Sequence, residues 1–411
     1  MGRLLFPLGL GTALSLMGDA TLYTVLPTHT AEAGIALGGV GILLGVNRAI
    51  RLFLNGPAGL AYDRWPRRRL FIPALFIGAL STAIYAATHG FWPLLVGRLL
   101  WGLAWSGIWV GGATMILDAA SPPERGRWTG LYQTWFFVGA ALGSFGGGVL
   151  TDLLGYATTM WIGAALTAAG GVFALLLLPE TARVRPRAAE DSVEHELPRS
   201  TGGRRRGRTP NRTLWLAASL QGVVRFVAWG VVSSTAGLLI QDLLRSYSVA
   251  AGVATVTGLV MAGRTLLSMV SAPLAGTLSD RMGSRWTVVG WSLATGVVAM
   301  GLLAWGGPAQ LLIGVSALAI AGGGLQSLAT TLTGDAVDRS QRGRAIGLLH
   351  TAGDLGSAIG PSIAYALLPV IGLPTMYLIC AGLFAASLVP VLRIAGRQRR
   401  ARPIVSQNTG A

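Results

Sequence analysis

Six charged side chains stand well inside long apolar stretches of this 411-residue sequence. A charge in hydrocarbon costs at least about 2.5 kcal/mol, so such residues usually face a cavity or a partner. An apolar surrounding favours a protonated carboxylate, whereas a neighbouring guanidinium favours an ionised one. The pattern therefore indicates either proton transfer or static ion pairs between helices. The six are Asp19, Arg48, Arg98, Arg225, Arg264 and Asp354.

Asp19 and Asp354 are the acids of this set, and each could load a proton or hold helices together. Asp19 lies in MGDATLYTVLP, and Asp354 lies in LLHTAGDLGSAIG. His350 is one helical turn before Asp354 and could assist a proton or simply line a wall. Arg51 is near the end of its apolar stretch, so we expect it to extend its guanidinium toward the membrane surface.

Aromatic residues cluster in two neighbouring apolar stretches. Some of them, with Trp105, Trp135 and Phe136 as candidates, could line a site for a hydrophobic or cationic ligand. Membrane-interface belts and helix packing explain such residues equally well. The cluster comprises Trp101, Trp105, Trp109, Tyr132, Trp135, Phe136 and Phe137.

The composition is that of a membrane protein. Charged residues make up 12% of the chain and hydrophobic residues 52%, whereas a soluble chain carries about 25% charged residues. All 32 basic residues are arginine, so the lysine of a phosphate-binding loop is missing and no nucleotide is expected. Cys380 is the one cysteine, the four histidines are scattered, and no nucleophile–base set is seen. We therefore expect no metal, no cofactor and no enzyme activity.

About 20 apolar residues cross a bilayer as a helix, and we predict twelve such spans, the first being a retained helix rather than a leader. Nearly all arginines between spans fall on one side, with Arg245 alone on the other, which predicts cytoplasmic termini. The same placement argues against nucleic-acid binding. The spans are 4–26, 34–58, 70–88, 91–117, 128–150, 157–178, 214–240, 249–275, 287–305, 309–333, 345–368 and 373–393.

The two halves of the chain repeat without a gap at an offset of 217 residues (280 minus 63). Asp63 and Arg64 align with Asp280 and Arg281, and Asp118 aligns with Asp335. An even number of helices separates the copies, so the halves cross the membrane in the same direction. Parallel repeats of this kind are a transporter architecture with a binding site at their interface.

The segments GLAYDRWPRRR and GTLSDRMGSR resemble the signature of the major facilitator superfamily between helices 2 and 3 and between helices 8 and 9. The resemblance extends over essentially the whole chain and implies that these loops form the inward gate. Pro66 departs from the signature, which prefers glycine there. The implied gate residues are Gly59, Asp63, Arg64, Arg68, Gly276, Asp280, Arg281, Gly283 and Arg285.

The fifth predicted helix resembles the antiporter motif of drug/proton exporters, with Ser144 in place of the usual proline. Ordinary glycine packing is the alternative reading of the motif. Arg98 resembles the helix-4 arginine that the superfamily links with proton transfer, which adds it to the proton-coupling candidates. The motif residues are Gly130, Gly139, Gly143, Gly147 and Gly148, with Gly360 and Pro361 in helix 11.

The prediction is an all-α membrane protein with 12 transmembrane helices in two parallel six-helix repeats around a central cavity. The units are a first bundle at 1–179, a cytoplasmic linker at 180–212, a second bundle at 213–395 and a basic tail at 396–411. The resemblance implies proton-coupled export of small hydrophobic or drug-like compounds. We expect a monomer in the cytoplasmic membrane, and the use of arginine in place of lysine favours a bacterial source. Metabolite uptake, lipid transport and, less favoured, a non-transporting sensor remain alternatives.

Overall fold

A computed structural model describes residues 2–181, 212–337 and 341–400. The predicted linker lies outside the described residues except at its two ends, as does the basic tail beyond residue 400. Every described regular element is helical. The long helices are α1 (Gly2–Val25), α2 (Leu37–Arg64), α3 (Arg67–Ala87), α4 (Phe91–Ala119), α5 (Arg125–Leu154), α6 (Tyr156–Leu177), α7 (Arg212–Ser246), α8 (Val253–Met282), α9 (Arg285–Trp305), α10 (Pro308–Ala336) and a final helix, Arg342–Arg400.

The final helix contains two membrane crossings. Its 59 residues would extend about 90 Å as one straight helix, three times the thickness of the hydrocarbon core. Gly372 breaks it with φ 70° and ψ 171°, a conformation that glycine adopts without steric cost. We number the two parts α11 (342–371) and α12 (373–400), so the twelve predicted crossings are confirmed.

Several helices extend beyond the predicted spans. The fifth span was predicted at 128–150, yet α5 includes Arg125–Leu154, and α8 continues through the second signature to Met282. Hydropathy marks only the part of a helix in hydrocarbon. The backbone hydrogen bonds of a helix are internal, so the helix can continue into the polar region.

The helices form two bundles that repeat the same packing. In the first bundle, α1 packs against α5 and α6, while α3 packs against α4 and α6; in the second, α7 packs against α11 and α8 against α10. The bundles meet along α5 with α8, α2 with α11, and α1 with α7. The outer surface carries large apolar side chains such as Phe53, Val370 and Trp305, which are 75%, 79% and 83% exposed. A surface of this kind is suited to lipid.

The bundles are in close contact at the end of the molecule remote from the chain termini. A Cβ on Gly45 would collide with the carbonyl of Ala358, and one on Gly258 would collide with the carbonyl of Ser144. Asp152 of α5 adds a polar contact, because its carboxylate accepts the Thr255 backbone N–H at 2.7 Å in the first turn of α8. An acid at a helix N-terminus is favourable.

The end that carries the termini is packed differently. A Cβ on Gly56, Gly59, Gly130 or Gly347 would meet nothing within 4 Å. The backbones of the two bundles therefore approach closely at the remote end and not at these positions of the terminal end.

Candidate functional site

A cavity lies between the two bundles, and helices from both contribute its walls. The volume of the cavity, including the solvent-filled space at its opening, is about 820 Å³. Asp19, which was predicted from sequence, lies on its wall, as do Arg48, Trp105, Phe136, Arg225 and Arg264. The remaining lining residues are Leu16, Ala20, Tyr23, Thr24, Asn47, Arg51, Trp101, Ala140, Ser144, Trp229, Ser233, Met261 and Thr265.

Asp19 forms an ion pair with Arg98 inside the first bundle. The Arg98 Nη1 lies 2.6 Å from the Asp19 Oδ1, and the Arg98 Nε donates to the Leu43 carbonyl at 2.9 Å. Arg98 is 0% exposed. This guanidinium joins α1, α2 and α4, and Asp19 supplies its compensating charge.

Asp354 forms an ion pair between the two bundles. The Arg51 Nη2 of α2 lies 2.7 Å from the Asp354 Oδ1 of α11. Arg51 therefore does not reach for the membrane surface as expected, because an acid from the other bundle is within its range. The pair can exist only while α2 and α11 hold this relative position.

Three arginines from three helices surround Trp229 of α7, and we call Arg48, Arg225 and Arg264 the arginine cluster. Their guanidinium carbons lie 5.7, 5.4 and 4.9 Å from the Trp229 ring centroid. Cation–π contacts of this length are attractive. None of the three forms an ion pair within the described part of the chain.

A stretch of π-helix, Arg225–Val232, positions this cluster. Turns of π-helix often mark functional sites, because they displace backbone groups from their usual helical partners. Here the Ala228 carbonyl accepts from Arg264 Nη1 and the Trp229 carbonyl accepts from Arg48 Nη1, each at 3.1 Å. Ser233 accepts from Arg264 Nη2 at 2.8 Å.

The opposite side of the cavity is an aromatic wall, formed by Trp101, Trp105 and Phe136. The Trp101 and Trp105 rings stack with centroids 6.1 Å apart, and Phe136 lies 5.9 Å from Trp105. Trp109 continues the stack, with its ring centroid 5.8 Å from that of Trp105. The site thus combines a flat apolar face from the first bundle with a cationic cluster formed by Arg225 and Arg264 of the second bundle and Arg48 of the first.

Two residues that were predicted to line the cavity, Trp135 and His350, do not line it. Trp135 turns toward α1, where its ring meets Phe6 at 5.9 Å and covers Gly9. His350 is exposed and lies outside the set that lines the cavity. Conversely, Trp229 was not singled out from the sequence. Its position four residues after Arg225 was the signal that could have found it, because that spacing shares a helix face.

The gate signatures contribute ion pairs, though not through their acids. Asp63, Arg64, Asp280 and Arg281 are all exposed. Within the described residues, neither Asp63 nor Asp280 has an ion-pair partner in this conformation.

The arginines that follow those acids pair within their own bundles. In the second copy, Arg285 forms an ion pair with Asp335. In the first copy, Arg67 rather than Arg68 forms the equivalent ion pair, with Asp118 at 3.0 Å. Arg68 donates a hydrogen bond to the Leu175 carbonyl instead. The two turns also differ in backbone. Gly283 adopts φ 59°, a left-handed conformation, where Pro66 has φ −54°.

The helix-5 motif brings helices together. A Cβ on Gly139, Gly143 or Gly147 would collide with Ala13, Met17 or Thr21 of α1, and Gly148 meets the backbone of Ala254 in α8. Gly130 has open space around it. In the second bundle, Gly360 meets Gly230 of α7 in the equivalent arrangement, and the Pro361 carbonyl meets Gly41 of α2.

Twelve crossings in two like-packed bundles around a central cavity are the architecture of the transporter folds built from two parallel repeats. A family model described as Major Facilitator Superfamily matches residues 8–254 and again residues 214–410. The chain belongs to this superfamily, as the two signature loops indicated.

Similar proteins include transporters with different named substrates. A probable 4-methylmuconolactone transporter of Cupriavidus pinatubonensis is 26% identical over 67% of this chain and 62% of its own length. The multidrug resistance protein MdtG of Proteus mirabilis is 25% identical over 66% of each chain. This chain thus spans less than two thirds of either relative.

Solved structures show the same fold. One is a bacterial homolog of the human lysosomal transporter Spinster in an inward-facing and occupied conformation, at a TM-score of 0.74 and 17% identity over 95% of this chain and 94% of that one.

Proposed function

We propose that this protein is a proton-coupled exporter of small, largely apolar compounds, in which Asp354 carries the proton. The observation that carries the proposal is the Arg51–Asp354 ion pair, 2.7 Å long, which joins the two bundles beside the cavity. Alternating access requires the bundles to change their relative position. A charge pair that spans them contributes differently to the two orientations.

Protonation of Asp354 would remove the charge that holds Arg51. The attraction between α2 and α11 would weaken, and the balance between the two orientations of the bundles would shift. A ligand or proton can move such a balance only through an interaction that differs between the states. Asp19 and Arg98 belong to the same bundle, so their contact does not depend on the relative position of the bundles, and we assign that pair a structural role.

The positions of the arginines support the orientation of the protein in the membrane. Cytoplasmic loops of membrane proteins carry an excess of arginine and lysine. The arginine-rich loops lie on the side of the termini, so the cavity described here opens toward the cytoplasm of a bacterial inner membrane. An exporter collects its substrate in such a state.

Export is supported by the glycine motif of α5 and by the similarity to multidrug resistance protein MdtG. The similarity to a probable 4-methylmuconolactone transporter favours movement of a metabolite as the second candidate. The direction of transport in everted and right-side-out vesicles separates the two, since an exporter fills only everted vesicles.

The coupling is tested in proteoliposomes with an imposed pH gradient and a pH-sensitive dye inside. Candidate compounds are screened first on the wild type. For a compound that moves, Asp354→Asn is expected to abolish gradient-driven transport, because the amide cannot exchange a proton. Counterflow exchange, which needs no proton, is expected to continue.

The matched control is Asp242→Asn, an acid-to-amide change at an exposed position of α7, which is expected to leave both assays unchanged. Gradient-driven transport by Asp354→Asn at the wild-type rate would contradict the assignment of the proton.

A further inference from the structure

The charges around the cavity do not balance. Asp19 compensates Arg98 and Asp354 compensates Arg51, which leaves the arginine cluster without a carboxylate. Asp354 also interacts electrostatically with Arg225. One carboxylate compensates only one positive charge, however, and Asp354 is paired with Arg51. A buried charge without an opposite charge is costly. The part of the cavity formed by described residues therefore holds an excess of three positive charges.

Backbone carbonyls satisfy this cluster only in part. Arg264 is 6% exposed, and its Nε has no hydrogen-bond partner. The Arg225 Nε is likewise buried and unpartnered, and no hydrogen bond of Arg225 to another described residue is seen. Carbonyl dipoles orient a guanidinium but carry no net charge. The cluster therefore has hydrogen-bond donors and positive charge available to a ligand that enters the cavity.

The aromatic wall limits what that occupant can be. Guanidinium groups bind carboxylates through paired, charge-assisted hydrogen bonds, and flat aromatic side chains favour a flat apolar body. A cationic ligand, one of the two expected from the aromatic residues alone, would meet three like charges.

We infer that the cavity selects amphipathic organic anions, with a carboxylate held by Arg225 and Arg264 and an apolar ring held against Trp101, Trp105 and Phe136. The inference rests on the proposed transport function and supplies its substrate class. Arg48 contributes positive charge from the first bundle, so the bound anion would contact both bundles. Trp229 keeps the three guanidinium groups apart and in place.

Equilibrium binding to the full-length protein in lipid nanodiscs tests this inference. The probes are benzoate, cinnamate and 1-naphthoate, each compared with its neutral amide and with the corresponding primary ammonium compound. Ring size is matched within each set, so charge is the main variable. We expect at least one carboxylate to bind about tenfold or more tightly than its amide, and the ammonium compounds to bind least.

Arg225→Gln is the discriminating variant, because no hydrogen bond from the Arg225 side chain to a described residue stabilises the bundle. It is expected to weaken binding of the carboxylate about tenfold or more and to leave the amide unchanged. Arg225→Lys is expected to recover part of the loss. Arg245→Gln, at an exposed site on the same helix, is the matched control and is expected to bind like the wild type.

Two results would overturn the inference. One is that no carboxylate binds more tightly than its amide, which includes the case that no probe binds at all. The other is that Arg225→Gln leaves carboxylate affinity intact. The assay needs no transport, so carboxylate binding without proton-driven movement would contradict only the proposed function. Proton-driven movement of neutral or cationic compounds, with no carboxylate preference in binding, would contradict only this inference.

Discussion

Arg98, a proton-coupling candidate in the sequence, is the centre of a network of polar contacts in the fold, and we propose a structural role for it. Its guanidinium is fully buried and bonds the Asp19 carboxylate of α1 and the Leu43 carbonyl of α2. A charge at such depth depends on its partner, because the medium cannot compensate it. The same reasoning separates Asp19 from Asp354, whose partner belongs to the opposite bundle.

Asp19→Asn is therefore expected to destabilise the protein. The amide oxygen still accepts a hydrogen bond, but the buried Arg98 loses its counter-charge, and we expect a loss of about 3 kcal/mol in the free energy of unfolding. Denaturant unfolding of the purified protein in detergent measures it. Asp63→Asn is the control, since Asp63 is exposed and has no ion pair with any described residue, and an equal loss in both variants would contradict the structural role.

At the scale of the element, α5 is built to approach two other helices. Gly139, Gly143 and Gly147 repeat every four residues and face α1, while Gly148 faces α8 across the bundle boundary. Small residues at this spacing let helix backbones come close in a membrane, where no hydrophobic force drives association. The Thr21 hydroxyl uses that closeness to donate to the Gly143 carbonyl at 2.9 Å.

Gly143→Ala tests this packing within the first bundle. The new Cβ would lie 2.6 Å from the Met17 Cα, so α1 and α5 must separate, and we expect a loss of about 1–3 kcal/mol in unfolding free energy. Gly146→Ala, on the same helix with nothing within 4 Å of its Cβ, is expected to change stability little. Equal stability of the two variants would show that the close approach is unimportant.

At the scale of the whole molecule, the contacts between bundles are concentrated at the remote end. Gly45, Gly148 and Gly258 each meet a carbonyl of the other bundle there, and Asp152 accepts a backbone N–H of α8. The terminal end lacks such contacts at Gly56 and Gly59. These close backbone contacts at one end therefore contribute to the relative orientation of the bundles, together with the Arg51–Asp354 ion pair.

Gly258→Ala is expected to shift the molecule toward the orientation that opens the remote end. Its Cβ would collide with Ser144 across the boundary, which raises the free energy of the present orientation without acting inside one bundle. We expect the population ratio to change about tenfold.

Distances between spin labels at positions 92 and 305, on a Cys380→Ser background, measure that shift. Gly263→Ala, a position in α8 with an open surrounding, is the control. If both variants give the wild-type distance distribution, the remote contacts do not set the orientation.

The sequence by itself determined the twelve crossings, the repeat and the two signature loops. These features are local, because apolar length and glycine spacing can be counted along the chain. It also identified most of the charged residues of the cavity, since a charge in hydrocarbon is conspicuous wherever it points.

The tertiary structure decided which of those charges meet. Arg51 and Asp354 are 303 positions apart, and their contact depends on how α2 and α11 are rotated and where they cross. The π-helical turn that gathers three arginines around Trp229, and the inward or outward face of Trp135 and His350, depend on the same packing. A sequence pattern indicates which residues are candidates for a functional role, but only the packing of the helices decides which of them are in contact.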